Sequence, residues 1–363
     1  MALAGVMGFL MYGLGFSVPL LRREMDISRS TAAFHNIGFA FAITLTSLVI
    51  PKFISRYSPT FVMRTGWAIA TVSLTIYAIG NSLWVTVPAM AMAGLGATLF
   101  NNTNAATVGH DAGTSTQILL RQNGISTICG AIAPTIIGTL ISFGIPWRTT
   151  LLIFALVLGV ISVKLVPVVP DRSPIKAISG SRHIDASLLL LVAFSFMATL
   201  IEAGTGAWIL DLLISRDVSI GSAVLLAAVF SYGVAASRLG FSFTPRLSPT
   251  FIWLFSTAIA MLGLIVIVIS HSASATMVGL IIAAFGIGPI GALALARSAA
   301  SDKGSDVGIA AFVVGAGPAI GFGPWLVGSV SEKSGFSIAY SLPIMFLLIA
   351  TGFFFAIARH HRS

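Results

Sequence analysis

Apolar runs of roughly 20 residues, separated by short polar connections, recur from one end of the chain to the other. They fall at 1–21, 31–50, 65–81, 84–108, 118–143, 147–169, 187–211, 220–240, 250–270, 274–297, 307–330 and 337–359. At about 1.5 Å of rise per residue such a run crosses a hydrocarbon layer about 30 Å thick as a helix, whereas a barrel strand needs only about ten residues. Backbone groups in hydrocarbon have to be satisfied within the segment itself or within a closed sheet. The pattern therefore predicts an all-α membrane protein with twelve transmembrane helices. The first run lacks a basic leader and a small-residue cleavage pattern, so it is read as the first span rather than a signal peptide.

Composition agrees with that reading. Hydrophobic residues make up 56% of the chain and charged residues 9%, and the mean hydropathy is +0.99. A water-soluble domain could not hide that much apolar surface. The net charge of +9 would suggest nucleic acid in a soluble protein, but the basic residues are scattered over many short loops. With both termini inside, fourteen Lys and Arg fall on the inner side, and only Arg22, Arg23, Arg29, Arg148, Arg216 and Lys333 fall outside. That bias predicts inner termini in a bacterial-type plasma membrane, with the lipid bilayer as partner and no nucleic acid. Cys129 is the only cysteine, so no disulfide framework or cysteine zinc site is available. No cofactor and no metal are expected, and a monomer is.

The chain repeats itself. Residues 56–70 and 246–260 are identical at eight of fifteen positions at a shift of 190. The same shift pairs Pro134 with Pro324 and Gly138 with Gly328. A shift of 191 pairs Gly13, Gly15, Leu21, Asp26 and Ser28 with Gly204, Gly206, Leu212, Asp217 and Ser219. One offset in three regions maps the first six spans onto the last six. The expected organisation is a six-helix bundle over 1–169, an inner linker over 170–186 that carries Asp171, Arg172, Lys176, Arg182, His183 and Asp185, and a second six-helix bundle over 187–363.

Parallel six-helix repeats are the build of the major facilitator superfamily, and local motifs resemble it. The turn from Pro51 to Ser58 is similar to the superfamily signature G-x-L-x-D-R-x-G, with Arg56 kept and Ser55 in place of the acid. A second copy runs from Arg238 to Leu247 and keeps Arg238 and Arg246, again without the acid. The resemblance implies a gating role at the inner face for Arg56, Arg238 and Arg246. The run from Ile201 to Trp208, followed by Arg216 and Asp217, resembles the fucose-permease-like branch. So do the stretches from Gly94 to Asn104 and from Gln122 to Gly124. Fucose permeases carry carboxylates on helices one and four, and this chain has none there, so sugar specificity does not carry over.

An ionisable group inside a span costs about 3 kcal/mol on insertion scales and is a functional candidate by default. Glu202 is the clearest. It lies about 22 Å along the seventh span at 1.5 Å per residue, where taking up a proton from one face and releasing it to the other would couple transport to protons. A purely structural role, pinning the Gly-rich kink of that helix, is the competing reading. Candidate substrate contacts are the amides Asn36, Asn101, Asn104, Gln122 and Asn123, with His35, Tyr12, Trp208 and Tyr232. Amides provide donors and acceptors without a charge. Each has a blander alternative in interhelical hydrogen bonding or an interfacial aromatic belt.

No G-x-S-x-G or H-E-x-x-H sequence is present, which argues against an intramembrane enzyme. The expectation is a secondary active transporter of a small solute, proton-coupled, working by alternating access. A drug or metabolite exporter of the same fold is the near alternative, and a non-transporting sensor or channel the distant one.

Overall fold

The computed structural model describes residues 2–108, 116–165, 186–244, 246–301 and 305–360. These are helical almost throughout: α1 (Ala2–Glu24), α2 (Arg29–Ala32), α3 (Phe34–Arg56), α4 (Pro59–Ile79), α5 (Leu83–Val108), α6 (Thr116–Ser142), α7 (Trp147–Leu165), α8 (Ala186–Ala207), α9 (Ile209–Ile214), α10 (Ile220–Ser242), α11 (Pro249–Ile269), α12 (Ala273–Ala299) and α13 (Ser305–His360). Gly335, at φ 80, divides α13 into arms over 305–334 and 335–360. With that division, and with α2 and α9 as short pieces beside longer helices, the fold has twelve long helices in two pseudo-symmetric halves of six. Nine stretches among the described residues are long and apolar enough to cross a membrane, one of them spanning both arms of α13. Apart from Ala186, which opens α8, the predicted linker lies outside the described residues.

The internal repeat is written in helix ends. Ser58 and Ser248 cap α4 and α11, their hydroxyls accepting from the amides of Phe61 and Phe251, and Pro59 and Pro249 take the first helical position. Asp26 and Asp217 have positive φ values of 50 and 64. At each, the next amide reaches back five residues, Ile27 to the Arg22 carbonyl and Val218 to the Leu213 carbonyl, which closes the helix in a left-handed turn that Asp tolerates better than most residues. Gly144 and Gly335, both at φ 80, form the third equivalent pair. Several of the matched residues are therefore those that stop and start helices.

Packing repeats in the same way. α1 lies along α6 as α8 lies along α13, and α4 along α5 as α11 lies along α12. The halves meet through α6 against α10 and α3 against α13, which are again symmetry equivalents. Close backbone contact carries the α4–α5 and α11–α12 pairs. A Cβ on Gly96 would sit 2.5 Å from the Gly66 carbonyl oxygen, and one on Gly286 2.2 Å from the Ala260 nitrogen. Small residues at such crossings are how helices associate where lipid provides no hydrophobic drive.

Large apolar side chains face outward on the bundle's flanks, among them Phe41, Leu48, Leu156 and Leu262. In water such a surface would drive association. In a bilayer it is the solvent contact.

Candidate functional site

One face of α8 and α9 is built to leave space. Thr199, Glu202, Ala203, Gly206, Ala207 and Leu210 recur at helical spacing and line a cavity of about 430 Å³ between the halves. The small residues there give room, and Glu202 projects into it. α10 contributes Phe230, Ser231, Val234 and Arg238 by the same periodicity. Across from them stand Phe16 and Pro19 of α1, Asn36 and Phe39 of α3, Met90 of α5 and Asn123 of α6. α12 and the first arm of α13 complete the wall with Gly291, Leu295, Phe312 and Ile320. The wall is predominantly apolar, with Glu202 and Arg238 the only ionisable side chains among its described residues.

These two form an ion pair. An Arg238 terminal nitrogen (Nη2) donates to Glu202 Oε2 at 2.5 Å. The other terminal nitrogen, Nη1, donates to the Thr127 hydroxyl at 2.7 Å, and Nε donates to the Gly288 carbonyl at 2.7 Å. A buried guanidinium needs such acceptors, because an unpaired one would be strongly penalised. Thr127 belongs to the first half, so Arg238 ties the halves together at the cavity wall. Its side chain is 7% exposed, that of Glu202 25%. Among the described residues nothing donates to Oε1 of Glu202. A Cβ on Gly291 would lie 3.6 Å from Oε2, so the absence of a side chain there leaves the space beside the pair open.

A second ionic centre sits nine residues further along, at the end of the bundle where α1 finishes. Asp211, wholly buried in α9, meets Arg22, Arg23 and Arg29 of the first half at 2.9, 3.0 and 3.1 Å. Beside it Glu332, on the first arm of α13, accepts from the Arg29 amide and from the Ser30 hydroxyl. The Arg29 guanidinium also lies over the Phe336 ring. Within the first half, Arg148 pairs with Glu24 at 2.8 Å and donates to the Ala78 and Gly80 carbonyls.

Among the sequence candidates, Glu202, Asn36 and Asn123 reach the cavity. Arg238 joins them. It was assigned a gating role near the inner end of the eighth span, and it lies within α10, four positions before its last residue. Trp208 does not line the cavity. It is fully buried where α8 breaks into α9, its indole N–H donating to the Pro324 carbonyl at 2.7 Å. His35 is likewise enclosed in the first half, with its ring nitrogens against the Ala32 carbonyl and the Thr86 hydroxyl and its ring edge on Tyr77. Tyr232 shares a 3.1 Å hydrogen bond with Thr135 across the α6–α10 seam. Arg56 and Arg246 are exposed, Arg56 over the Tyr57 ring, and among the described residues neither meets an acid. The side chains of Tyr12, Asn101, Asn104 and Gln122 lie outside the described residues.

The Asp211 centre was not anticipated. Three arginines within eight residues, on the side otherwise poor in basic residues, were its signal in the sequence.

The sequence model of the Major Facilitator Superfamily matches residues 1–322. No curated protein sequence matches the chain. Among solved structures, a nucleoside transporter, NupG, superposes with a TM-score of 0.74 at 13% identity, covering 98% of both chains. A bacterial homologue of the human lysosomal transporter Spinster, in an inward-facing, occupied conformation, gives 0.69 at 15% identity over 98% of this chain and 96% of that one. The superfamily transporter FucP, in the outward conformation, gives 0.69 at 12% identity over 97% of each. At these identities the likeness is one of fold.

Proposed function

The chain belongs to the Major Facilitator Superfamily, and from that premise we propose a secondary active transporter that moves a small solute across the cytoplasmic membrane by alternating access, with proton coupling at Glu202. That it is a multi-pass membrane transporter rather than an enzyme follows from family and fold. The coupling rests on one observation: the Glu202–Arg238 pair faces a central cavity, and through Thr127 it links the two halves.

The mechanism follows from that placement. Residues 1–169 and 187–363 rock as two units joined by 170–186, opening the cavity to one side at a time. While Glu202 is ionised it neutralises Arg238 and holds the wall together. A proton on Glu202 removes half of that interaction, leaving Arg238 to other partners and loosening its hold on α6. Asn36 and Asn123 orient the solute, and the aromatic walls hold its apolar part.

The Asp211 centre is the closed gate of this state. The basic-residue bias of the loops puts it at the outer face, with the termini inside. Arginines of the first half close on an acid of the second, so opening to the outside has to part them.

Reconstitution tests the reading. Purified protein in liposomes is offered a panel of sugars, nucleosides, amino acids, organic acids and drugs with and without an imposed pH gradient. At least one solute is expected to accumulate only with the gradient, and uptake indifferent to the gradient would remove proton coupling.

A further inference from the structure

The two halves differ in charge where their sequences match best. Between Asp26 and Asp111 the chain contains no acid, yet residues 51–68 carry Lys52, Arg56 and Arg64. We propose that the turn between α3 and α4 binds an anionic phospholipid, its phosphate held by Arg56 and Arg64 and an acyl chain lying along the outer face of α4.

The internal repeat shows which residue departs from the pattern. Phe61, Arg64, Ala68, Val72 and Ile79 are exposed on α4, at a spacing that puts them on one face of the helix. At a shift of 190, Phe251, Leu254, Ala258, Leu262 and Ile269 form the same exposed face on α11. Both faces are apolar, as contact with lipid requires, except at Arg64, where the second half has Leu254. Arg64 lies about 7.5 Å along the helix from Pro59 at 1.5 Å per residue. From there its long side chain can carry the guanidinium to the headgroups while its stem stays against hydrocarbon.

Partners for these cations are missing from the protein. Among the described residues nothing accepts from the Arg64 guanidinium. Arg56 meets only the Tyr57 ring, its Cζ 5.8 Å from the centroid. Phe53, Tyr57 and Phe61 are all exposed and follow one another with ring centroids 6.0 and 5.3 Å apart. Arg56 lies at the middle ring of this ladder, and Arg64 follows the last ring by one helical turn. Aromatic rings at headgroup depth anchor a lipid-facing surface, and guanidinium forks match phosphate oxygens. The loop bias puts the turn at the inner leaflet, whose anionic lipids attract basic residues. A phosphodiester lipid with a neutral headgroup supplies the missing negative charge, whereas a zwitterionic one brings a cation that both arginines repel. The second half keeps Arg246 but has Leu247 and Leu254 in place of Tyr57 and Arg64, so the site belongs to the first half.

The test equilibrates purified full-length protein in detergent with equal amounts of dioleoylphosphatidylglycerol and dioleoylphosphatidylcholine, and bound lipids are counted by native mass spectrometry. The parent protein is expected to prefer phosphatidylglycerol by about tenfold or more, each arginine near the headgroups contributing about fivefold. Arg64→Leu should lower the preference by about fivefold, and Arg56→Gln/Arg64→Leu should remove most of it. Arg246→Gln should leave it unchanged. All three sites are exposed, so each variant should melt with the parent, which separates loss of the site from misfolding. An excess of inorganic phosphate should not displace the lipid.

Equal retention of the two lipids overturns the proposal, as does a parental preference in the double variant. A loss in Arg246→Gln as large as in Arg64→Leu would mark a diffuse basic surface and overturn it too. Displacement by inorganic phosphate would make this a site for a free anion, and the lipid assignment would fall.

Discussion

Two acids of the second half, Glu202 and Asp211, lie nine residues apart on consecutive helices, and each is paired with arginine. Their surroundings differ in every other respect. Asp211 is wholly buried, and both its oxygens are engaged by three arginines from the opposite half. Glu202 has one arginine from its own half, one oxygen without a donor among the described residues, and a quarter of its side chain open to the cavity. A saturated carboxylate has nothing to gain from a ligand and serves to hold a conformation. An unsaturated one beside free volume can exchange its partner. Partners and space thus suit Asp211 to the proposed gate and Glu202 to the proposed binding site, though both are ion pairs in the same fold.

The sharpest way to break the contrast is Asp211→Asn. It leaves three arginines crowded around a neutral amide, and breaking a buried pair by removing one member costs about 3–5 kcal/mol. A large fall in melting temperature in detergent is expected, together with easier opening at that end, read by labelling of a cysteine placed at Ser30. An unchanged melting temperature would mean the cluster carries no closing energy.

Glycine positions offer a second contrast. Gly286→Ala places a Cβ 2.2 Å from the Ala260 backbone nitrogen, and the helices must part at a cost of about 1–3 kcal/mol. Gly291→Ala meets only ordinary contacts at 3.6 Å and beyond. It should be thermally silent, within about 0.5 kcal/mol, while weakening solute binding. Equal stability loss in both would contradict the packing assigned to α11 and α12.

The smallest effect is expected from Arg23→Gln. Arg23 is 31% exposed and one of three partners, so solvent screening and the remaining arginines should limit the loss to about 1 kcal/mol or less. Thermal unfolding of this variant beside Asp211→Asn measures how unevenly the cluster depends on its members.

The spans were legible because hydrocarbon demands long apolar helices, and the halves because residues such as Ser58 and Asp26 recur at Ser248 and Asp217 for reasons of helix termination. The acid at Glu202 stood out because no neighbouring charge in sequence explains it. Arg238 was read as a gating residue and not as a cavity residue, since a basic residue four positions before the end of α10 has the same pattern as an interfacial anchor. Only the approach of α6, α8 and α12 turns it into a cavity residue. Trp208 misled for the opposite reason. The helix breaks at that residue, and the ring turns away from the cavity to the Pro324 carbonyl, which no periodicity drawn through an unbroken helix could foresee. Asp211 was taken for the end of a span, and its burial depends on arginines nearly 190 residues away.

The central claim is that Glu202 exchanges partners with the proton. Its direct test compares the parent protein and Glu202→Gln in liposomes, with the solute found by the panel above, in gradient-driven accumulation and in solute exchange without a gradient. The account predicts that Glu202→Gln exchanges solute at a rate within a few-fold of the parent but no longer accumulates it against its gradient. Accumulation at the parent's level in that variant would contradict it.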